Sequence, residues 1–132
     1  MKERIRMSNQ HMNPYTLLNK IFHEPNRLAI MSTLCGTENE LTFNKLKDQC
    51  TLTDGNLSRH LKTLEESGAI HIRKTFKANK PCTTILLSHL GKESFIRYLK
   101  TLEEVLLKAA EAVSPTTEQQ PLFLFQKKWI KN

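Results

Sequence analysis

The sequence predicts a mainly α protein with one small β-hairpin late in the chain. Three observations predict it. Thr53 opens a capped segment in which Leu57, Leu61 and Leu64 repeat at helical spacing, the period drops to two between Ile70 and Leu87, and a long segment after Ser88 returns to helical spacing. With 132 residues the chain has room for one compact core, because a domain of that size buries about two thirds of the surface its unfolded form exposes. Hydrophobic residues at 39% and charged residues at 25% match a folded globular chain and not a disordered one.

Residues 1–12 carry Lys2, Arg4 and Arg6 with little apolar content and read as a flexible basic arm. Asn13 and Pro14 are a cap and a first-turn proline, so Leu17, Leu18, Ile21 and Phe22 form a first helix running to about His23. Pro25 restarts the chain, and Leu28, Ile30, Met31 and Leu34 make a second helix that Gly36 should stop in the left-handed region. Thr42 caps a third, short helix with Phe43 and Leu46 inward and Lys45 and Lys47 outward, and Leu41 precedes it as a staple.

The Thr53 helix follows, with its leucine stripe, and ends at Gly68. Ile70 and Ile72 then alternate with His71 and Arg73, Lys77 to Pro81 make a turn, and Thr83 to Leu87 form the returning strand of a two-stranded hairpin. Ser88 caps a last helix over 89–113, where Phe95, Leu99, Leu102, Leu106 and Val113 follow a heptad-like seam. Such a helix is about 36 Å long at 1.5 Å per residue, more than a small body can cover, so part of it requires a partner. Pro115 ends it, and residues 114–132 form a tail whose apolar patch, Leu122 to Phe125 with Trp129 and Ile130, needs a covering surface. The domain proper therefore spans 13–113.

A short helix, a tight turn and a second capped helix followed by a hairpin make a helix-turn-helix with a wing. The fold class is thus mainly α with a small β-hairpin, a winged helix-turn-helix with a long C-terminal dimerisation helix. The net charge of +7 favours polyanionic partners. Its distribution points to duplex DNA. Opposite the leucine stripe, the helix over 53–67 presents Gly55, Asn56, Ser58, Arg59, Lys62 and Thr63 behind the Thr53 cap. Gly55 lets backbone approach a phosphate at a helix N-terminus, which Asp54 partly opposes, while Asn56 can pair with adenine and Arg59 with guanine in the major groove.

The hairpin over 73–81 adds Lys74, Lys77, Asn79 and Lys80, with no acidic residue between Arg73 and Leu90. If half the charges of Lys45, Arg59, Lys62, Lys74, Lys77 and Lys80 act in each of two protomers, about six phosphates are neutralised and log affinity falls against log salt with a slope of about −5.

The stretch TDGNLSRHLKTLEESG from Thr53, the wing KANKP followed by Ser88 and Gly91, and the upstream HEPNRLAI at 23–30 resemble winged-helix transcriptional regulators related to the MarR and ArsR groups. The resemblance covers roughly residues 15–108. It implies a homodimer joined by the last helix with help from the first, with Leu17, Phe95, Leu99, Leu102 and Leu106 at the interface, and promoter binding through the recognition helix 53–67. The chain departs from that pattern at three points. Ile85 stands where an aromatic is common, the wing tip lacks an arginine so that Lys77 or Lys80 must substitute, and the cysteine-x-cysteine pair of metal-sensing relatives is absent.

Other constellations are weaker. His60 flanks the leucine stripe and reads as a packing residue. His71, Cys82 and His89 match no compact zinc spacing, so neither metal nor cofactor is implied. Of Cys35, Cys50 and Cys82, an odd set that fits a reducing cytoplasm, only Cys82 beside Lys80 has a cationic neighbour that could favour thiol chemistry. No phosphate loop, dinucleotide fingerprint or catalytic set is present, and no apolar run approaches the roughly 20 residues of a membrane span, so neither an enzyme nor a membrane protein is expected. The alternative is a winged-helix protein-interaction or RNA-binding module without sequence-specific DNA binding. RNA binding would require exposed aromatics, which the basic face is expected to lack. No residue pattern identifies an effector.

Overall fold

The computed structural model describes residues 19–113. In chain order these form α1 (Pro25–Cys35), β1 (Glu40–Thr42), α2 (Phe43–Cys50), α3 (Asp54–Glu66), β2 (Ile70–Lys77), β3 (Lys80–Leu87) and α4 (His89–Val113). Residues 19–98 make one compact unit, and residues 99–113 are the described part of a second. The basic arm, Leu17 and the C-terminal tail lie outside the described residues.

Most of the helix expected from Asn13 also lies outside them, but its expected end at His23 is corrected. Residues 20–24 form turns, because the Asn19 side chain accepts the Ile21 N–H at 2.9 Å and its carbonyl accepts from Phe22 and His23, a local closure that competes with a helix. Glu24 then caps α1 through its carboxylate, which accepts the Arg27 N–H at 2.8 Å, and Pro25 fills the first turn. Gly36 does not take the left-handed conformation expected of it. Its φ is −87°, its N–H continues the helical pattern to the Ser32 and Thr33 carbonyls, and the reversal falls downstream at Glu38 and Asn39, with φ of 56° and 71°.

The sheet has three antiparallel strands in the order β1-β3-β2 where two were expected. The added strand pairs Glu40 with Leu86, Leu41 with Ile85 and Thr42 with Thr84, so Leu41 is a strand residue ahead of the Thr42 cap. Three residues are too few to display a period of two. The turn between β2 and β3 is tighter than Lys77 to Pro81: only Ala78 and Asn79 turn, both with positive φ, and Lys77 pairs directly with Lys80.

The core gathers Ile30, Met31 and Leu34 of α1, Leu46 of α2, Leu57, Leu61 and Leu64 of α3, Ile70 and Ile85 of the sheet, and Phe22, Phe95 and Tyr98. Full burial of each aliphatic side chain is worth about 1.5–3 kcal/mol. The start of α4 is tied to the end of α3. The Ser88 hydroxyl lies 2.6 and 2.9 Å from the Gly68 and Ala69 carbonyls and accepts the Gly91 N–H at 2.8 Å. A Cβ on Gly91 would come within 2.1 Å of the Ala69 carbonyl oxygen, so this approach requires glycine, while Gly68 makes the turn itself at φ +85°.

Phe95 modifies the expected seam. It is 1% exposed, packs edge-on against Phe22 at 5.3 Å between ring centres and stacks on Tyr98 at 5.9 Å, so its ring belongs to the core of its own unit. Ile96, Leu99 and Leu106 are exposed on α4 and Leu102 is half-buried.

Candidate nucleic-acid interface

Helices α2 and α3 are joined by the turn Thr51–Thr53, in which Thr51 adopts φ 55° and bonds back to the last carbonyls of α2. Thr53 caps α3 by accepting the Asn56 N–H at 3.2 Å. Across this turn Lys47 Nζ lies 2.9 Å from the Asp54 carboxylate. The hydrogen bond to Asp54 and its charge hold the Lys47 ammonium above its usual range. The pair offsets the negative charge that Asp54 places at the start of α3, the position where an anion would otherwise meet the helix dipole. The sequence pattern left Lys47 among the outward residues of α2 and did not show this pair.

Helix α3 divides cleanly. Leu57, His60, Leu61 and Leu64 are buried, whereas Gly55, Asn56, Ser58, Arg59 and Lys62 are exposed with the Thr53 cap, and Thr63 is half-buried with its hydroxyl bonded to the Arg59 carbonyl. An Arg59 guanidinium nitrogen donates to the Asn56 side-chain oxygen at 3.1 Å, so the two side chains expected to meet base edges are held together on one face. A Cβ built on Gly55 meets nothing within 4 Å. The fold itself does not require glycine there, and the space in front of the first turn of α3 is open.

His60, read from sequence as a packing residue, is 2% exposed and bonded at both ring nitrogens. Arg27 Nη1 lies 3.1 Å from Nδ1 and the Asn26 side-chain amide 3.3 Å from Nε2. Arginine can only donate, so at the Arg27 contact Nδ1 is the acceptor. Burial pushes the imidazole pKa below its ordinary value; Glu24, 3.8 Å away, opposes this, and the charges of Arg59 and Arg27 add to it. Arg27 also donates to the Ile21 carbonyl at 2.7 Å. The inner side of α3 is therefore pinned to the start of α1 by a neutral histidine, directly beside Arg59.

In the hairpin, residues opposite one another share a face. Ile72, Lys74 and Phe76 stand with Ile85, Thr83 and Pro81 on one side, and Arg73, Thr75 and Lys77 with Thr84, Cys82 and Lys80 on the other. The first side faces α3 across a groove of about 220 Å3. Phe43, Leu61, Ile72 and Ile85 floor the groove, while Ser58, Lys62, Glu65, Lys74 and Thr83 rim it. The structure thus brings Ser58 and Lys62 of the helix and Lys74 of the wing to one opening. Lys77, Asn79 and Lys80 are exposed at the tip, and Lys45 is exposed on α2.

The expectation that the basic face lacks an aromatic is corrected, because Phe76 is 73% exposed amid these lysines. The alternation from Ile70 through Ile72 and Lys74 places it on the groove side, a signal the sequence did carry. Among the described residues, no group of three or more His, Cys, Asp or Glu is placed to hold a metal ion, and no helix is long and apolar enough to cross a membrane. Cys82 is half-buried beside Thr75.

Comparison with known proteins agrees with this geometry. The chain is 39% identical over 80 residues to an uncharacterized protein of Methanocaldococcus jannaschii, covering 61% of this chain and 86% of that one. The solved structure of a transcriptional regulator homologue from Pyrococcus horikoshii OT3 superposes with a TM-score of 0.69 at 29% identity, over 74% of this chain and 98% of that chain. The transcriptional repressor BigR from Xylella fastidiosa shares the fold, with a TM-score of 0.54 at 24% identity over 77% of this chain and 95% of its own. So does a MarR family regulator from Silicibacter pomeroyi, at 0.52 and 16% identity over 92% and 81% of the two chains. Residues 26–106, from the start of α1 into α4, match the winged helix DNA-binding domain, and the chain belongs to that family.

Proposed function

We propose that the protein is a transcription regulator that binds duplex DNA as a homodimer, with α3 in the major groove and the wing on the adjoining backbone or minor groove. The observation that carries this reading is the division of α3. One side is committed to the core and to the Arg27–His60 contact, and the other holds Asn56 and Arg59 together beside a groove whose two rims carry Lys62 and Lys74. An amide, with one donor and one acceptor, matches an adenine edge, the paired donors of a guanidinium match guanine, and the flanking ammonium groups match phosphates. The regulator homologue from Pyrococcus horikoshii supports the regulatory part of the reading.

The dimer reading rests on α4, where Leu99 is 40% and Leu106 is 55% exposed and Leu102 is half-buried, with Leu17 added from the sequence pattern alone. The unpaired thiols of Cys35, Cys50 and Cys82 suit a cytoplasmic setting. The binding is non-enzymatic, and the groups that act do so by hydrogen bonding and charge.

Salt titration tests this directly. The slope of log affinity against log salt should be about −5 for the dimer, and Lys62→Ala, which removes one phosphate contact per protomer, should make it shallower by about 2. Arg59→Ala should instead relax base preference, costing about 1–3 kcal/mol per half-site on the preferred sequence. A slope near zero, or unchanged affinity in both variants, would replace this reading with a protein-interaction module.

A further inference from the structure

We propose that Phe76, with Pro81 beside it across the hairpin, is an apolar wedge that enters the minor groove of bound duplex DNA and opens one base step. The inference rests on the DNA-binding reading above and adds a residue and a readout to it. Phe76 is 73% exposed at a point where the wing has left the core, since every residue of β2 beyond Ile72 is exposed. The ring therefore does little for folding. Its position is set by the pleat: it continues the side of the sheet that carries Lys74 and faces α3, and its cross-strand neighbour is Pro81, a second apolar and rigid group.

The surroundings identify the occupant. Lys74, Lys77 and Lys80 lie within the same hairpin, which contains no acidic residue, so the ring sits in a positive field suited to a polyanion and ill suited to a basic or neutral apolar partner. The wing is narrow at this end, because the two-residue turn at Ala78 and Asn79 closes it. The minor groove, about 6 Å wide, does not admit a helix, and the part of the hairpin that enters it is the single side chain at its end rather than the paired strands. The face is also continuous with the groove shared with α3. An apolar side chain presented there, with cations to either side, is the arrangement by which side chains part stacked bases and bend the duplex. Pyrimidine–purine steps open most easily, so the wing should favour a TA or CA step at a position no polar side chain reads.

The test uses the full chain and a duplex selected by it from a random pool. The fluorescent analogue 2-aminopurine is placed in turn at each step flanking the major-groove half-site, and bending is measured by energy transfer between the duplex ends. The wild-type protein should raise fluorescence at one flanking step and bend the DNA. Phe76→Ala should lose both signals and about tenfold or more in affinity, whereas Phe76→Leu, another apolar wedge, should keep most of each. Thermal unfolding of both variants should coincide with the wild type, because the ring is exposed.

Unchanged bending and fluorescence in Phe76→Ala, with binding still sensitive to Arg59→Ala, would overturn the wedge and leave the DNA reading standing. Failure of the wild-type protein to retain any duplex, or preference for an A-form RNA duplex, would overturn both.

Discussion

Helix α3 and the wing both carry exposed cations, but they are attached to the molecule differently. Helix α3 buries Leu57, Leu61 and Leu64 and locks His60 onto Arg27 and Asn26. The wing beyond Ile72 buries nothing in β2 and is held by strand pairing and a two-residue turn. The difference separates two duties that a sequence superimposes. On α3 each residue answers either to the core or to a partner, according to its angle on the helix. On the outer wing the fold makes few demands, so the choice of Lys74, Phe76, Lys77 and Lys80 is left to whatever the wing touches.

The strongest way to break that comparison is to substitute the inner side of α3. Leu61→Ala should cost about 2–5 kcal/mol of folding stability, read by denaturant unfolding, while Lys77→Ala at the wing tip should stay within about 0.5 kcal/mol of the parent. Equal losses would mean that the wing is part of the core.

A second substitution sharpens the contrast within α3. Because a Cβ on Gly55 meets nothing, Gly55→Ala should stabilise the helix by about 0.5–1 kcal/mol, and yet weaken DNA binding by filling the space where backbone approaches a phosphate. Stability and affinity moving in the same direction would contradict the role assigned to that space.

The smallest effect is a pH dependence. The folded His60 has a pKa below the 6.5 of a free imidazole, so between those values the unfolded chain binds the proton and the folded one does not. The stability it contributes is fully present above pH 6.5 and is lost as pH falls through that window. His60→Gln should flatten this part of a plot of melting temperature against pH. An unaltered acid limb would show that the imidazole is not held neutral by its contacts.

Much of this was legible in the sequence, and the reasons differ by element. Helix α3 combined a Thr cap, a leucine stripe and a glycine stop, so local and tertiary preferences agreed. The wing was legible through its period of two, and α4 through Ser88 and its apolar repeat. β1 was not, because three residues carry no period and its pairing with Thr84 to Leu86 is a tertiary fact. Gly36 misled because a glycine after a helix suggests a left-handed stop, whereas here the Thr37 hydroxyl bonds back to the Thr33 carbonyl and the turn moves to Glu38 and Asn39. Phe95 fitted the seam by spacing, yet spacing does not distinguish a partner helix from Phe22 and Tyr98. On α3 the angle on the helix separated the exposed Gly55, Asn56, Ser58, Arg59 and Lys62 from the leucine stripe, but Thr63 is half-buried, Phe76 was missed, and Lys47 with Asp54 and Arg27 with His60 are pairs between separate elements, which no local pattern reveals.

The central claim is that the exposed side of α3 reads duplex DNA in a symmetric dimer. Incubating the protein with a randomised duplex pool at near-physiological salt and sequencing the retained fraction tests it most directly. The account predicts enrichment of an inverted repeat with half-sites about one helical turn, roughly 10 base pairs, apart. Retention of the pool without enrichment, or no retention, would contradict it.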